Sequence, residues 1–104
     1  MITSRLAALG LATSLLTACA LVRPPARFTV VEATIPDLQK AMEDGRATSR
    51  DIVMEYLARI AFYDTTLNAV MVVNRRALVA ADALDRERAG GAVRGPLHGV
   101  PIAL

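Results

Sequence analysis

The chain has 104 residues, enough for one small domain, and 54 % of them are hydrophobic. Its 12 basic and 10 acidic side chains nearly cancel, and the basic residues are spread along the chain with few aromatic residues among them, which argues against a nucleic-acid partner. The single cysteine, Cys19, excludes an intrachain disulfide and a multi-cysteine zinc site.

Residues 1–18 are typical of a signal peptide. A basic residue, Arg5, precedes an apolar run over residues 6–16. That run is shorter than the roughly 20 residues that span a bilayer, so the pattern favours a secretory signal over a transmembrane helix.

The end of this leader, Leu16-Thr17-Ala18-Cys19, resembles the lipobox of bacterial lipoproteins. The resemblance implies that Cys19 is lipidated and becomes the mature N-terminus, so that the membrane is a partner. Alanine rather than aspartate at position 20 then favours the outer membrane, with the protein facing the periplasm. An ordinary signal peptide with a chance cysteine, or a buried thiol, is the alternative. Residues 19–29 follow as the lipidated cysteine and a proline-rich tether.

Residues 30–104 are predicted to form the domain itself, beginning with two helices. Thr34 and Asp37 have the spacing of a capping box at the first helix start, and Gly45 ends that helix. Thr48 and Asp51 repeat the box, and the second helix is expected to fade near residues 64–66.

Two apolar segments, residues 69–73 and 100–104, are predicted to be buried strands because they lack polar alternation. Between them we expect a third helix over residues 75–89, capped by Asn74, ended by two glycines and carrying an ion pair of Asp82 with Arg86. The predicted order is therefore α-α-β-α-β. We expect residues 100–104 to be followed by further chain, because a strand needs neighbouring strands to pair its backbone N–H and C=O groups.

No motif for a cofactor, a metal or a hydrolase nucleophile occurs in the sequence, so no catalytic residue and no cofactor are predicted. Ser49 lies at a helix start, where we expect its hydroxyl to cap backbone amides. Lys40 is expected on the solvated side of the first helix. His98 lies in a glycine-proline turn, and we expect it to fix that turn by hydrogen bonds to backbone, with a catalytic role as the alternative.

The chain from residue 31 to residue 104 resembles the N-terminal part of amidase signature enzymes. The resemblance rests on Thr-Ser-Arg-Asp at residues 48–51, Leu-Asn-Ala-Val at 67–70 and Gly-Pro-Leu-His-Gly-Val-Pro at 95–101. It implies an α/β fold in which helices pack on a mixed central sheet. It also implies hydrolysis of a small amide by a Ser-Ser-Lys triad.

In that family the lysine follows directly after the segment that here ends at Leu104, and both serines lie further on. The resemblance therefore implies that these residues are the front of a longer exported amidase. One alternative is a short non-enzymatic lipoprotein, a helical interaction module that has kept the amidase start. Another is the transamidating enzyme that works on charged tRNA, a cytosolic protein that the leader argues against.

Overall fold

The computed structural model describes residues 27–104, in which three helices are joined by turns and irregular segments. Helix α1 spans Ile35–Glu43, α2 spans Ser49–Leu67 and α3 spans Ala77–Ala89. Helices α2 and α3 pack against each other. The predicted leader, Cys19 and most of the tether lie outside the described residues.

Both predicted capping boxes are present. The Thr34 hydroxyl accepts a 3.3 Å hydrogen bond from the Asp37 N–H, and the Asp37 carboxylate accepts one of 2.9 Å from the Thr34 N–H. At the start of α2 the corresponding distances between Thr48 and Asp51 are 3.1 and 2.9 Å. These bonds satisfy backbone donors that have no partner within the helix, and so they set where α1 and α2 begin.

The core lies between α1 and the first half of α2. It is a small cluster of buried apolar side chains: Val30, Leu38, Ala41, Met42, Ala47 and Ile52. Phe28, Ala33, Tyr56 and Val100 are partly buried against this cluster. The segment before α1 and the turn after α3 are thus both held by the α1–α2 pair.

The predicted α/β fold is wrong for the described part of the chain, which contains helices and no strand or sheet within residues 27–104. Residues 69–73 and 100–104, both predicted strands, are irregular. Met71 is 95 % exposed and Val72 is 82 % exposed, although their segment was expected to be buried. A strand requires a neighbour that takes its backbone hydrogen bonds, and the described residues offer none.

The end of α2 gives a second reason why residues 69–73 form no strand. Asn68 ends the helix in the left-handed conformation, with φ of 50°. The Asp64 carboxylate then accepts hydrogen bonds from the N–H groups of Ala69 and Val70, at 2.8 and 2.9 Å. The Asp64 side chain at the end of α2 therefore occupies two backbone N–H groups that a β-strand would use to bond a neighbouring strand.

The two predicted strands nevertheless meet at the same place. Residues 70 and 72–74 and residues 101–103 line one groove of ≈ 380 Å³ beside α2. The α2 side of the groove is formed by Val53, Tyr56, Leu57 and Ile60. Apolar side chains of both segments thus line the same groove, although the two segments form no hydrogen bonds with each other.

Helix α3 differs from its prediction at the start and in its ion pair. It begins at Ala77, because Asn74 forms a turn ahead of the helix: its side-chain oxygen accepts from the Arg76 N–H at 2.9 Å. It ends at Ala89, before the two predicted glycines. Asp82 pairs with Arg50 of α2 at 2.7 Å, and the predicted ion pair of Asp82 with Arg86 is not formed. No helix in the described residues is long and apolar enough to cross a membrane.

Candidate functional site

The turn at residues 95–101, here called the 95–101 turn, is bonded by side chains from all three helices. Its shape is held by backbone hydrogen bonds of 3.1 Å from the His98 N–H to the Gly95 carbonyl and of 3.1 Å from the Val100 N–H to the Leu97 carbonyl. Gly99 has φ of +80°, a conformation that side chains with a Cβ rarely adopt. One side chain from each helix donates to the backbone carbonyls of this turn.

Helices α1 and α3 hold the middle of the turn through Gln39 and Arg88. The Gln39 amide nitrogen donates to the carbonyls of Pro96 and His98, at 2.7 and 3.1 Å. Arg88 Nη2 donates to the same His98 carbonyl at 3.1 Å and to the Gln39 side-chain oxygen at 2.8 Å. The two side chains therefore act as one hydrogen-bonded clamp.

Helix α2 holds the end of the turn through Ser49. Its hydroxyl donates a 2.7 Å hydrogen bond to the Gly99 carbonyl, and the residue is 2 % exposed. The prediction that this hydroxyl caps backbone amides is wrong. The N–H groups of Ser49 and Arg50 instead donate to the Asp85 carboxylate of α3, at 2.7 and 3.0 Å, so that an acidic side chain from another helix stabilises the start of α2.

His98 is buried, with 6 % exposure, and both of its ring nitrogens are occupied. Nδ1 accepts a 3.3 Å hydrogen bond from the Arg94 N–H, which assigns the proton to Nε2, and Nε2 donates to the Leu84 carbonyl at 2.9 Å. The prediction that His98 fixes the turn through backbone hydrogen bonds is confirmed by this geometry.

An ion pair fastens Arg94, the residue before the 95–101 turn, to α3. Arg94 Nε lies 2.7 Å from a carboxylate oxygen of Glu87, and Arg94 Nη2 bonds the other oxygen. The hydrogen bonds from Arg94 hold the pKa of the Glu87 carboxyl below its ordinary value, and the same bonds raise the pKa of Arg94. The charged forms are therefore the ones this contact stabilises.

Among the described residues, the site contains no pair of a nucleophile and a base. The Ser49 hydroxyl donates to a carbonyl, and the His98 ring bonds only backbone groups. Lys40 is on the surface as predicted, paired with Asp44 at 3.2 Å. Within residues 27–104 no group of three or more potential metal ligands occurs. What this arrangement can do is orient the backbone that leaves the turn.

Sequence reasoning missed Gln39, Asp85 and Arg88 as parts of the site. Their partners lie between 10 and 59 residues away along the chain. No local sequence pattern predicts such a contact, because each of the three residues is an ordinary polar residue on its own helix. The motif at the turn was visible in the sequence, and the side chains that hold it were not.

Comparison with known proteins gives a consistent result. The model of the family described as Amidase matches residues 51–104, which include the whole 95–101 turn. A protein named as an amidase from Schizosaccharomyces pombe is 47 % identical over 75 residues, covering 72 % of this chain and 13 % of that protein. One from Arabidopsis thaliana, also named as an amidase, is 39 % identical over 85 residues, covering 80 % and 17 %.

The chain is also similar to one subunit of a glutamyl-tRNA(Gln) amidotransferase from Prochlorococcus marinus, at 38 % identity over 72 residues, covering 68 % of this chain and 15 % of that subunit. No solved structure matches. The chain spans less than a fifth of the length of these relatives. The family match over residues 51–104 contains most of α2, the α2–α3 connection, α3 and the 95–101 turn. The chain belongs to the amidase family.

Proposed function

We propose that this chain is the N-terminal part of an exported amidase that hydrolyses the carbon–nitrogen bond of a small amide. The observation that carries the proposal is the family match over residues 51–104, together with two relatives named as amidases. Since the chain covers only 13–17 % of those relatives, the activity is proposed for the whole parent protein.

The proposed chemistry is acyl transfer to serine. A serine oxygen attacks the amide carbonyl, its proton passes through a second serine and a lysine base to the leaving nitrogen, and the carbon–nitrogen bond breaks. The acyl group is then joined to the serine oxygen as an ester, which water hydrolyses by the same proton transfers. The three catalytic residues are proposed to lie after Leu104, with the lysine next in the chain. In this scheme the role of the described residues is to direct residues 100–104 out of the turn.

We further propose that Cys19 carries a lipid that anchors the parent to a membrane facing the periplasm. The support is the lipobox-like end of the leader, Leu16-Thr17-Ala18-Cys19. A thioether-linked diacylglycerol with an N-acyl chain provides more than one acyl chain, which is what stable anchoring requires.

A second candidate function is amide transfer to charged tRNA, favoured by the 38 % identity to a subunit of glutamyl-tRNA(Gln) amidotransferase. The two functions differ in the fate of the amide nitrogen. A hydrolase releases ammonia from a small amide without further components, whereas the transamidating enzyme requires the aminoacylated RNA.

The test is to read the gene beyond Leu104 and assay the purified parent for ammonia release from simple aliphatic and aromatic amides. We expect a lysine at the next position, and its change to alanine should abolish ammonia release. Lys40→Ala is the matched control, because Lys40 is the only lysine among these 104 residues and lies exposed beside Asp44.

The control variant should retain full activity. A stop codon after Leu104 would support the short lipoprotein instead. Ammonia release that occurs only from glutamine, with the nitrogen recovered on charged tRNA, would support the transamidating enzyme. Either result contradicts the proposed hydrolase.

A further inference from the structure

We propose that Ser49 is a positioning residue of the amidase reaction. Its buried hydroxyl holds the Gly99 carbonyl and so sets the direction in which residues 100–104 leave the 95–101 turn towards the catalytic lysine. The inference rests on the proposed function, because it assigns a task to the segment that precedes that lysine.

The first step is that the Ser49 hydroxyl is itself fixed. Its residue is the first of α2, directly after the capping box of Thr48 and Asp51. Its own N–H is held at 2.7 Å by the Asp85 carboxylate, which belongs to α3. With 2 % exposure, the residue is largely shielded from competing water. A group held by two helices is a rigid reference point for a neighbouring backbone.

The second step concerns the peptide that Ser49 holds. Gly99 carries the last carbonyl of the turn before the apolar segment. Because the peptide unit is planar, fixing the Gly99 oxygen also fixes the N–H of Val100 and the direction of the bond between the two residues. The Val100 N–H in turn donates to the Leu97 carbonyl at 3.1 Å. Both ends of this one peptide group are therefore restrained.

The third step is that this control is separate from the rest of the turn. Gln39 and Arg88 hold the Pro96 and His98 carbonyls, and the His98 ring bonds the Leu84 carbonyl. Loss of the Ser49 hydroxyl leaves those contacts in place and releases the Gly99 carbonyl alone. We therefore expect the turn still to form, with residues 100–104 held less firmly in one direction.

The experiment compares Ser49→Ala with Thr48→Ala in the full-length parent. Both remove one hydroxyl at the start of α2, but the Thr48 hydroxyl bonds only within its own capping box. A misplacement of about 1 Å can reduce catalysis on the order of 100-fold. We therefore expect Ser49→Ala to lower kcat roughly 10- to 100-fold with KM unchanged, and Thr48→Ala to lower thermal stability with kcat unchanged.

A further readout separates positioning from stability. Amide hydrogen exchange at residues 102–104 should accelerate in Ser49→Ala and remain as in wild type in Thr48→Ala.

Equal effects of the two variants on kcat, KM and stability would overturn the inference, since Ser49 would then be merely structural. Unchanged kcat together with unchanged exchange in Ser49→Ala would also overturn it. An inactive wild-type parent contradicts the proposed function instead, and the exchange measurement still decides whether Ser49 orders the segment.

Discussion

Gly99 packs so closely on Met42 that a Cβ added to the glycine would lie 3.1 Å from the Met42 sulfur. The same Cβ would lie 3.2 Å from both the Cβ and the hydroxyl oxygen of Ser49. The contact joins the 95–101 turn to the buried faces of α1 and α2. It also explains why a glycine is required here for reasons of space as well as of backbone conformation.

Gly99→Ala is expected to destabilise the parent by roughly 2–5 kcal/mol, combining a left-handed backbone cost of about 1–2 kcal/mol with overpacking of about 1–3 kcal/mol. Gly91→Ala is the matched control, because Gly91 has the same φ of +80° and a Cβ there would meet nothing within 4 Å. Urea denaturation of both variants gives the difference in free energy of unfolding. Equal losses would show that the contact with Met42 and Ser49 has no energetic weight.

His98→Phe is expected to destabilise the fold while leaving the chemistry intact. The ring keeps its planar shape, but its part-buried hydrogen bonds to the Leu84 carbonyl and from the Arg94 N–H are lost, at roughly 0.5–1.5 kcal/mol each. The melting temperature should fall, and kcat measured well below it should fall by less than about tenfold. An unchanged melting temperature with a loss of kcat beyond about 100-fold would instead assign His98 a catalytic role.

Asp37→Asn should remove part of the acid sensitivity of the fold. Hydrogen bonds from the Thr34 hydroxyl and N–H hold the pKa of the Asp37 carboxyl below its ordinary value of 3.8. A carboxyl whose pKa is lowered by folding contributes stability that is present above the unfolded pKa and is lost as the pH falls through the folded pKa.

The stability difference between wild type and Asp37→Asn should therefore be largest near neutral pH and shrink below about pH 4. Thermal melts of both proteins over that range provide the measurement. A difference that is constant with pH would show that the carboxylate charge does not contribute to the cap.

Cys19→Ser should release the parent protein from membranes or block its processing. The serine hydroxyl cannot form the thioether to which the lipid is attached in the proposed anchor. Membrane fractionation and the mass of the mature N-terminus are the measurements. A variant that is cleaved like wild type and remains with the membranes would exclude lipidation at this residue.

Residues 19–104 on their own are expected to be catalytically silent and poorly folded. The described part of the chain leaves large apolar side chains exposed, including Phe62 at 75 % and Met71 at 95 %. Such surface favours association, so we expect helical circular dichroism without a cooperative melt. A monodisperse monomer with a sharp thermal transition would contradict this and would favour the small non-enzymatic lipoprotein.

Features that depend on residues close together along the chain could be predicted from the sequence. The capping boxes at Thr34 and Thr48 and the glycines after α3 were predicted, because their contacts are made within a few residues along the chain. The structural role of His98 was also predicted from its place in a glycine-proline turn, and its hydrogen bond from the Arg94 N–H is made four residues away.

Features that depend on residues far apart along the chain could not be predicted, because the folding of the chain brings those residues together. The Ser49 hydroxyl was expected to cap its own helix, but it bonds a carbonyl 50 residues away. Asp82 was expected to pair within α3, but α2 brings Arg50 within 2.7 Å of it. The predicted strands failed for the same physical reason. Apolar, β-branched residues make a strand possible, but only a second strand at hydrogen-bonding distance makes one, and residues 27–104 place none beside them.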